Sequence, residues 1–195
     1  MISMDDAKIV LAPHEQRLYD CVSKACDRWF KDVSREIPNS YVRTEANVIY
    51  NLIATEARNR FGSVSHVIVT ENHEQILLYI DDALVVRFKK VDPGLHTACN
   101  STQRSFDLEE GQISIPGLPD LEVVTVGYQL DAASTRLESV YIFHGRVVWS
   151  YELMAAASNL VSLPITPAPA AKVVPISLAK PRVTPVAKVG SDGDR

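Results

Sequence analysis

The sequence lacks a hydrophobic run of the length that a membrane span requires, about 20 consecutive apolar residues. Its first residues place Asp5 and Asp6 ahead of a short apolar segment, the reverse of the charge order in a secretory signal. With 46% hydrophobic and 23% charged residues, the composition is that of an ordinary globular protein. We therefore expect a cytoplasmic protein with no membrane contact.

Glycine and cysteine are both scarce. The eight glycines form no phosphate-binding loop, and the chain contains no nucleophile elbow and no paired His-Glu helix motif. Cys21 and Cys26 are five residues apart, on opposite sides of a predicted helix, which suits neither a disulfide framework nor a zinc pair. His96 and Cys99 form a single ligand-like pair, too few for zinc. We predict no metal or cofactor and assign no catalytic residue.

The carboxyl-terminal part differs in composition from the rest. Residues 160–195 contain six of the eleven prolines and no aromatic residue, so we expect a disordered Pro/Ala-rich tail after a domain covering residues 1–159. The tail carries five basic and two acidic side chains, a net charge of +3, which leaves −7 on the domain out of the total of −4. An acidic domain argues against a broad phosphate-binding surface. A docking segment is the functional alternative for the tail.

Helical and then strand periodicity predict an α+β domain. Apolar residues at helical spacing indicate one helix from about Pro13 that is interrupted at 35–41, and a second from Thr44 to about Arg60. From Val64 onward the period becomes two, which predicts about six mostly antiparallel strands. We expect two amino-terminal helices packed on this sheet.

The stretch "LLYIDDALVVRFKK" raises the question of a metal-dependent nuclease site. A two-residue turn at Asp81–Asp82 would pair Ile80 with Ala83 and place Lys89 about 23 Å from Asp82, since a strand rises about 3.3 Å per residue. A nuclease gathers its acids and lysine around one metal ion. This geometry favours a hairpin with a polar tip over a catalytic site.

The same turn predicts apolar side chains on both faces of the hairpin, and a two-residue turn at His144–Gly145 predicts the same for the last hairpin. A lone antiparallel sheet usually leaves one face in water. Three candidates could cover the second apolar face of the sheet: the 91–120 segment, the tail or another protein chain. We favour a protein partner or self-association.

One polar cluster is the most site-like feature of the sequence. Cations at the end of a strand lead into a loop with hydroxyl and amide groups, a set able to bind a phosphate or a carboxylate. The alternative is solubilising charge at a strand end. The cluster consists of Arg87, Lys89, Lys90, Thr102, Gln103 and Arg104.

Five short motifs carry a family resemblance: "RFKK" at Arg87–Lys90, "TQ" at Thr102–Gln103, "IPGLP" at Ile115–Pro119, "GY" at Gly127–Tyr128 and the "W-S-x-x-L" pattern at Trp149–Leu153. Over roughly residues 41–153, and not in the tail, the chain resembles a group of small uncharacterised bacterial proteins. These are encoded near helix-turn-helix regulators or phage-immunity-type metallopeptidases, in loci that resemble toxin–antitoxin or defence cassettes. The resemblance implies a type of genetic locus and not a reaction, and no catalytic residue can be assigned from it.

Two functional hypotheses follow. The first is a protein-interaction component of such a locus, acting through its sheet and tail. The second is a nucleic-acid-acting toxin or metal-dependent nuclease that uses Arg87, Lys89 and nearby acids or Gln103. A DNA-binding regulator is favoured least, because the domain is acidic and its helices lack a short helix-turn-helix spacing.

Overall fold

The computed structural model describes residues 2–37, 40–72, 75–97, 112–113 and 121–155. Residues Thr102, Gln103 and Arg104 of the polar cluster and the expected tail, 160–195, lie outside these ranges. Within them, no helix is both long and apolar enough to cross a membrane.

The amino-terminal half is helical. Its elements are α1 (Met4–Leu11), α2 (Glu15–Arg28), a π-helical turn (Trp29–Val33), α3 (Ser34–Glu36) and α4 (Val42–Phe61). Helices α2 and α4 are the two that the sequence predicts. Helix α1 is an addition, and Ser3 caps it by accepting a hydrogen bond from the Asp6 backbone N–H at 3.2 Å.

The remaining elements form one sheet. The strands are β1 (Val67–Asn72), β2 (Gln75–Ile80), β3 (Leu84–Lys90), β4 (Gln112–Ile113), β5 (Leu121–Leu130), β6 (Leu137–His144) and β7 (Trp149–Leu153). Their order is β1-β2-β3-β5-β6-β7, with β4 paired to β5. Every neighbouring pair is antiparallel except β3 and β5, which run parallel. The prediction of an α+β fold with a mostly antiparallel sheet is confirmed.

The main core lies between the helices and one face of the sheet. Helices α2 and α4 bury one stripe each, and alternate residues of the central strands meet them. The fully buried side chains include Leu18, Val22, Ile49, Ile53, Phe61, Leu78, Val86, Phe88, Val126 and Ile142. Cys21 and Cys26 lie in this core as free thiols, and burial raises the pKa of each to about 12, so they act as small apolar residues.

The predicted register of the β2–β3 hairpin is wrong by one residue. The turn contains Asp81, Asp82 and Ala83, so Ile80 pairs with Leu84 rather than with Ala83. Both aspartates adopt left-handed backbone conformations, with φ of 51° and 52°, and the Ala83 N–H donates to the Ile80 carbonyl oxygen. The extra turn residue moves every β3 side chain to the opposite face of the sheet.

The predicted two-residue turn of the last hairpin is also wrong. His144 pairs with Trp149, so four residues form the loop. The Val148 N–H donates to the His144 carbonyl oxygen, and Gly145 and Val147 both have positive φ. Consequently Val148 is exposed rather than part of a strand.

Candidate functional site

Arg87 lies on the sheet face opposite the helices. Residues alternate along β3, so Val86 and Phe88 face the helical core whereas Val85 and Arg87 face away from it. Arg87 is only 4% exposed, and its Nε donates to Thr125 Oγ1 at 2.8 Å. A buried guanidinium needs hydrogen-bond acceptors, and Thr125 supplies one from the neighbouring parallel strand. Arg87 is thus built into the fold.

Lys90 points to the other side of the sheet. Its Nζ lies 2.8 Å from Glu45 Oε1 on α4, and both side chains are mostly buried. This ion pair ties the carboxyl end of β3 to the first turns of α4. The predicted cluster is therefore divided by the sheet, with Lys90 on the helical side and Arg87 on the opposite side.

Lys89 is half-buried and follows the alternation of Arg87. It pairs with Gly127 of β5, and a Cβ added to Gly127 would lie 2.7 Å from the Phe143 ring. The β3–β5 surface beside Lys89 is thus tightly packed. Because Thr102, Gln103 and Arg104 fall outside the described ranges, the six-residue cluster as a whole stays a prediction.

The paired aspartates and the lysine lie at opposite ends of β3. Asp81 and Asp82 form the exposed tip that precedes β3, whereas Lys89 is near its carboxyl end, next to Lys90. The expectation of a polar hairpin tip fits this arrangement, although the turn is one residue longer. Among the described residues, no group of three or more histidine, cysteine or acidic side chains is placed to hold a metal ion.

The face opposite the helices carries a second apolar cluster. Leu77, Tyr79, Val85 and Val123 are each at most 3% exposed, and Leu121 packs against them. Apolar side chains thus occupy both faces of the hairpin, but this part of the second face is already buried within the single chain. Its burial removes the main reason for expecting a partner at this position.

A buried histidine is paired with a half-buried carboxylate at one end of the sheet. His144, 1% exposed, places Nε2 2.7 Å from Glu122 Oε2. A carboxylate oxygen accepts, so Nε2 donates to Glu122, and no side chain or backbone group within the described ranges bonds to Nδ1. Burial acts to raise the pKa of Glu122, but hydrogen bonds to the carboxylate, one of them from His144, and nearby positive charge outweigh it and lower this pKa overall. The His144 side chain is buried, whereas the Glu122 side chain is 28% exposed, and the contact joins β6 to β5 at this end of the sheet.

An aromatic row continues from His144 along β7. The His144 ring stacks on Trp149 with centroids 5.6 Å apart, and Trp149 stacks on Tyr151 at 6.3 Å. The Trp149 indole Nε1 donates to the Ile2 carbonyl oxygen at 3.1 Å, and Lys8 Nζ sits 4.9 Å from the centre of the Tyr151 ring. These contacts attach α1 to the last strand of the sheet.

Three exposed apolar side chains flank the junction between α3 and α4. Ile37 is 40% exposed, Tyr41 84% and Val42 71%. Tyr41 is the residue that precedes α4, and its carbonyl oxygen accepts the Glu45 N–H at 3.0 Å, which fixes its backbone. The sequence analysis assigned this segment only as a helix break. Apolar residues directly before a helix were the signal that was available.

Comparison with protein-family models, with curated proteins and with solved structures finds no match for this chain. The site is therefore judged on its geometry.

Proposed function

We propose that the chain is a cytoplasmic protein-interaction component of a bacterial toxin–antitoxin or phage-defence type locus, and that it acts by binding a protein partner. The binding surface consists of Ile37, Tyr41 and Val42, named here the α4 entry patch. The exposure of these three side chains within six positions is the observation that carries the proposal. The locus type is supported by the family resemblance alone.

Tyr41 gives the patch a residue type that is common in binding hot spots. A tyrosine has few rotatable bonds and a large apolar ring, so it binds with a small loss of conformational entropy and its hydroxyl adds one polar contact. The hydrogen bond from Glu45 anchors its backbone at the start of a 20-residue helix. We expect the partner to offer an apolar groove with a hydrogen-bond acceptor for the Tyr41 hydroxyl.

The binding proposal is tested with the product of the neighbouring gene. We expect Tyr41→Ser combined with Val42→Ser to weaken its affinity at least about 30-fold, since truncating a hot spot costs about 2 kcal/mol or more. Val148→Ser is the matched control, because Val148 is also exposed, at 58%, and belongs to the β6–β7 loop instead. Equal affinities for the wild type and the double variant would contradict the assignment of the patch.

The alternative function, a nucleic-acid-acting toxin or metal-dependent nuclease, receives less support from the contacts of β3. Arg87 is buried against Thr125 and Lys90 is paired with Glu45, so two of the three strand cations are engaged inside the fold. Lys89→Ala separates the two functions. It should abolish growth inhibition or cleavage if the alternative holds, and it should leave partner binding and growth unchanged under the binding proposal.

A further inference from the structure

Among the strands that the structure describes, β1 is an outer strand of the sheet with one open edge. It pairs there with β2 alone, over Val67–Asn72, and its register is continuous, with no bulge. An outer strand presents a row of backbone donors and acceptors to any extended chain that approaches it. Natural proteins usually protect such an edge with proline, lysine or a bulge. The segment "VIVTEN" contains neither residue.

The hydrogen bonds around β1 identify which backbone groups face outward. The Asp81 N–H donates to the His66 carbonyl oxygen at 2.9 Å, so His66 and Asp81 form a hydrogen-bonded pair. Such pairs alternate along an antiparallel ladder. Ile68 and Thr70 therefore bond to β2, and the backbone groups of Val69 and Glu71 point to the open edge. The Val67 N–H already donates a hydrogen bond to the Val64 carbonyl oxygen. The Val67 carbonyl oxygen faces the open edge.

The side chains of β1 are also those of a pairing strand. Ile68 is 54% exposed on the face opposite the helices, beside the half-buried Thr70. The opposite outer strand differs, because β7 exposes Ser150 and Glu152 on that face. Glu71 is the single charged residue of β1, and it forms an ion pair with Arg58 of α4 on the helical side.

We propose that β1 pairs with β1 of a second copy of this chain, antiparallel, about a two-fold axis at Val69. In this register Val69 bonds to the partner's Val69, and the Glu71 N–H donates to the partner's Val67 carbonyl oxygen. Ile68 lies opposite the partner's Thr70, and two β-branched side chains across a pair of strands stabilise the pairing. The two sheets become one continuous sheet.

The position of Glu71 favours the antiparallel orientation, and closure of the assembly favours β1 over β7 as the partner strand. With the axis at Val69, the two Glu71 residues are four positions apart along the strands, about 13 Å, and each keeps its own Arg58. A parallel pairing in register would place the two carboxylates on adjacent strands, about 5 Å apart, where they repel. Pairing of β1 with β7 of another copy is a heterologous contact, which leaves one edge of each end copy unpaired unless the assembly closes into a ring. The two-fold pairing joins the open β1 edge of one copy to the open β1 edge of the other, so the assembly stops at a dimer.

The test measures the mass of the full-length protein by light scattering and sedimentation velocity across a dilution series. We expect a dimer for the wild type. Ile68→Lys should raise the dimer dissociation constant at least about tenfold, because it places two cations beside the seam. Val69→Pro should do the same because it removes an outward-facing donor, and proline is tolerated where the N–H does not bond within the sheet.

Val148→Lys is the matched control, since Val148 is similarly exposed but lies in the β6–β7 loop. It should leave the dimer intact, and the circular dichroism of all three variants should match the wild type. A wild-type protein that is monomeric at every concentration, or a dimer that Ile68→Lys leaves unchanged, overturns the proposal. Neither result decides the partner-binding proposal. Tyr41 and Val42 lie outside β1, so the affinity measurement on the α4 entry patch tests that proposal independently.

Discussion

Arg87 Nε donates a hydrogen bond to Thr125 Oγ1 at 2.8 Å across the parallel pairing of β3 and β5. This contact joins the amino-terminal and carboxyl-terminal halves of the sheet at the one parallel pairing among the described strands. Both side chains are at most 4% exposed, so water does not replace the bond when it is lost. The arginine that sequence analysis placed in a binding cluster therefore has a structural contact to account for it.

The contribution of this bond is measurable with Thr125→Val, which keeps the shape of the side chain and removes the acceptor. We expect the free energy of unfolding to fall by about 1–3 kcal/mol, the cost of a buried donor left without this partner. Thr44→Val on α4 is the control, because it makes the same chemical change at a half-buried position and should alter stability by less than about 0.5 kcal/mol. Chemical denaturation of the three proteins provides the measurement. A Thr125→Val protein as stable as the wild type would show that the bond contributes nothing.

A second prediction concerns the strained backbone at Val147. This residue has φ of 62°, a conformation that a β-branched side chain adopts at a cost of about 1–2 kcal/mol. Val147→Gly relieves the strain, and we expect it to raise the free energy of unfolding by about 1 kcal/mol. The neighbouring Val148 lacks positive φ, so Val148→Gly should instead lower stability by about 0.5–1 kcal/mol through added freedom of the unfolded chain. Thermal denaturation of both variants tests the opposite signs. Two changes of the same sign would contradict the loop conformation.

A helix of this fold was predictable where a long apolar repeat in the sequence specifies it without help from tertiary contacts. Helix α4 extends from Val42 to Phe61, close to the predicted 44–60, because its apolar face repeats over five turns and Gly62 follows it. Helix α1 was not predicted, because eight residues with two acids give too short a pattern. Its position depends on tertiary contacts such as the bond between Trp149 and Ile2, which joins residues 147 positions apart.

The hairpin registers were not predictable from turn composition. Asp-Asp between apolar runs suits a two-residue turn, but a three-residue turn places Leu84, Val86 and Phe88 in the helical core and leaves Arg87 on the other face. The reverse register would have placed Arg87 under the helices, where an apolar core offers it no acceptor. Packing of the whole sheet thus decided the register. The division of Arg87 from Lys90 follows from alternation along β3, which puts positions three apart on opposite faces, but alternation alone does not tell which of the two faces meets the helices.

The pair Glu122–His144 predicts a pH dependence of stability. The pKa of Glu122 is lowered from its ordinary value of 4.5, although burial opposes this change, because hydrogen bonds to the carboxylate, one of them from His144, and nearby positive charge favour the charged form. A carboxyl group whose pKa is lower in the folded chain than in the unfolded chain stabilises the fold above pH 4.5. That stabilisation is lost as the pH falls through the lowered folded value.

Glu122→Gln should therefore destabilise the protein at pH 7 by about 1–2 kcal/mol, since a hydrogen bond to a charged group is replaced by a neutral one. The difference from the wild type should shrink as the pH is lowered below 4.5, because the wild-type carboxyl group is then progressively protonated. Glu152→Gln makes the same charge change at an exposed position of β7 and serves as the control. The measurement is urea denaturation between pH 7 and pH 3. A Glu122→Gln deficit that stays constant over this range would contradict the role of the carboxylate, because a charge-independent packing effect does not vary with protonation.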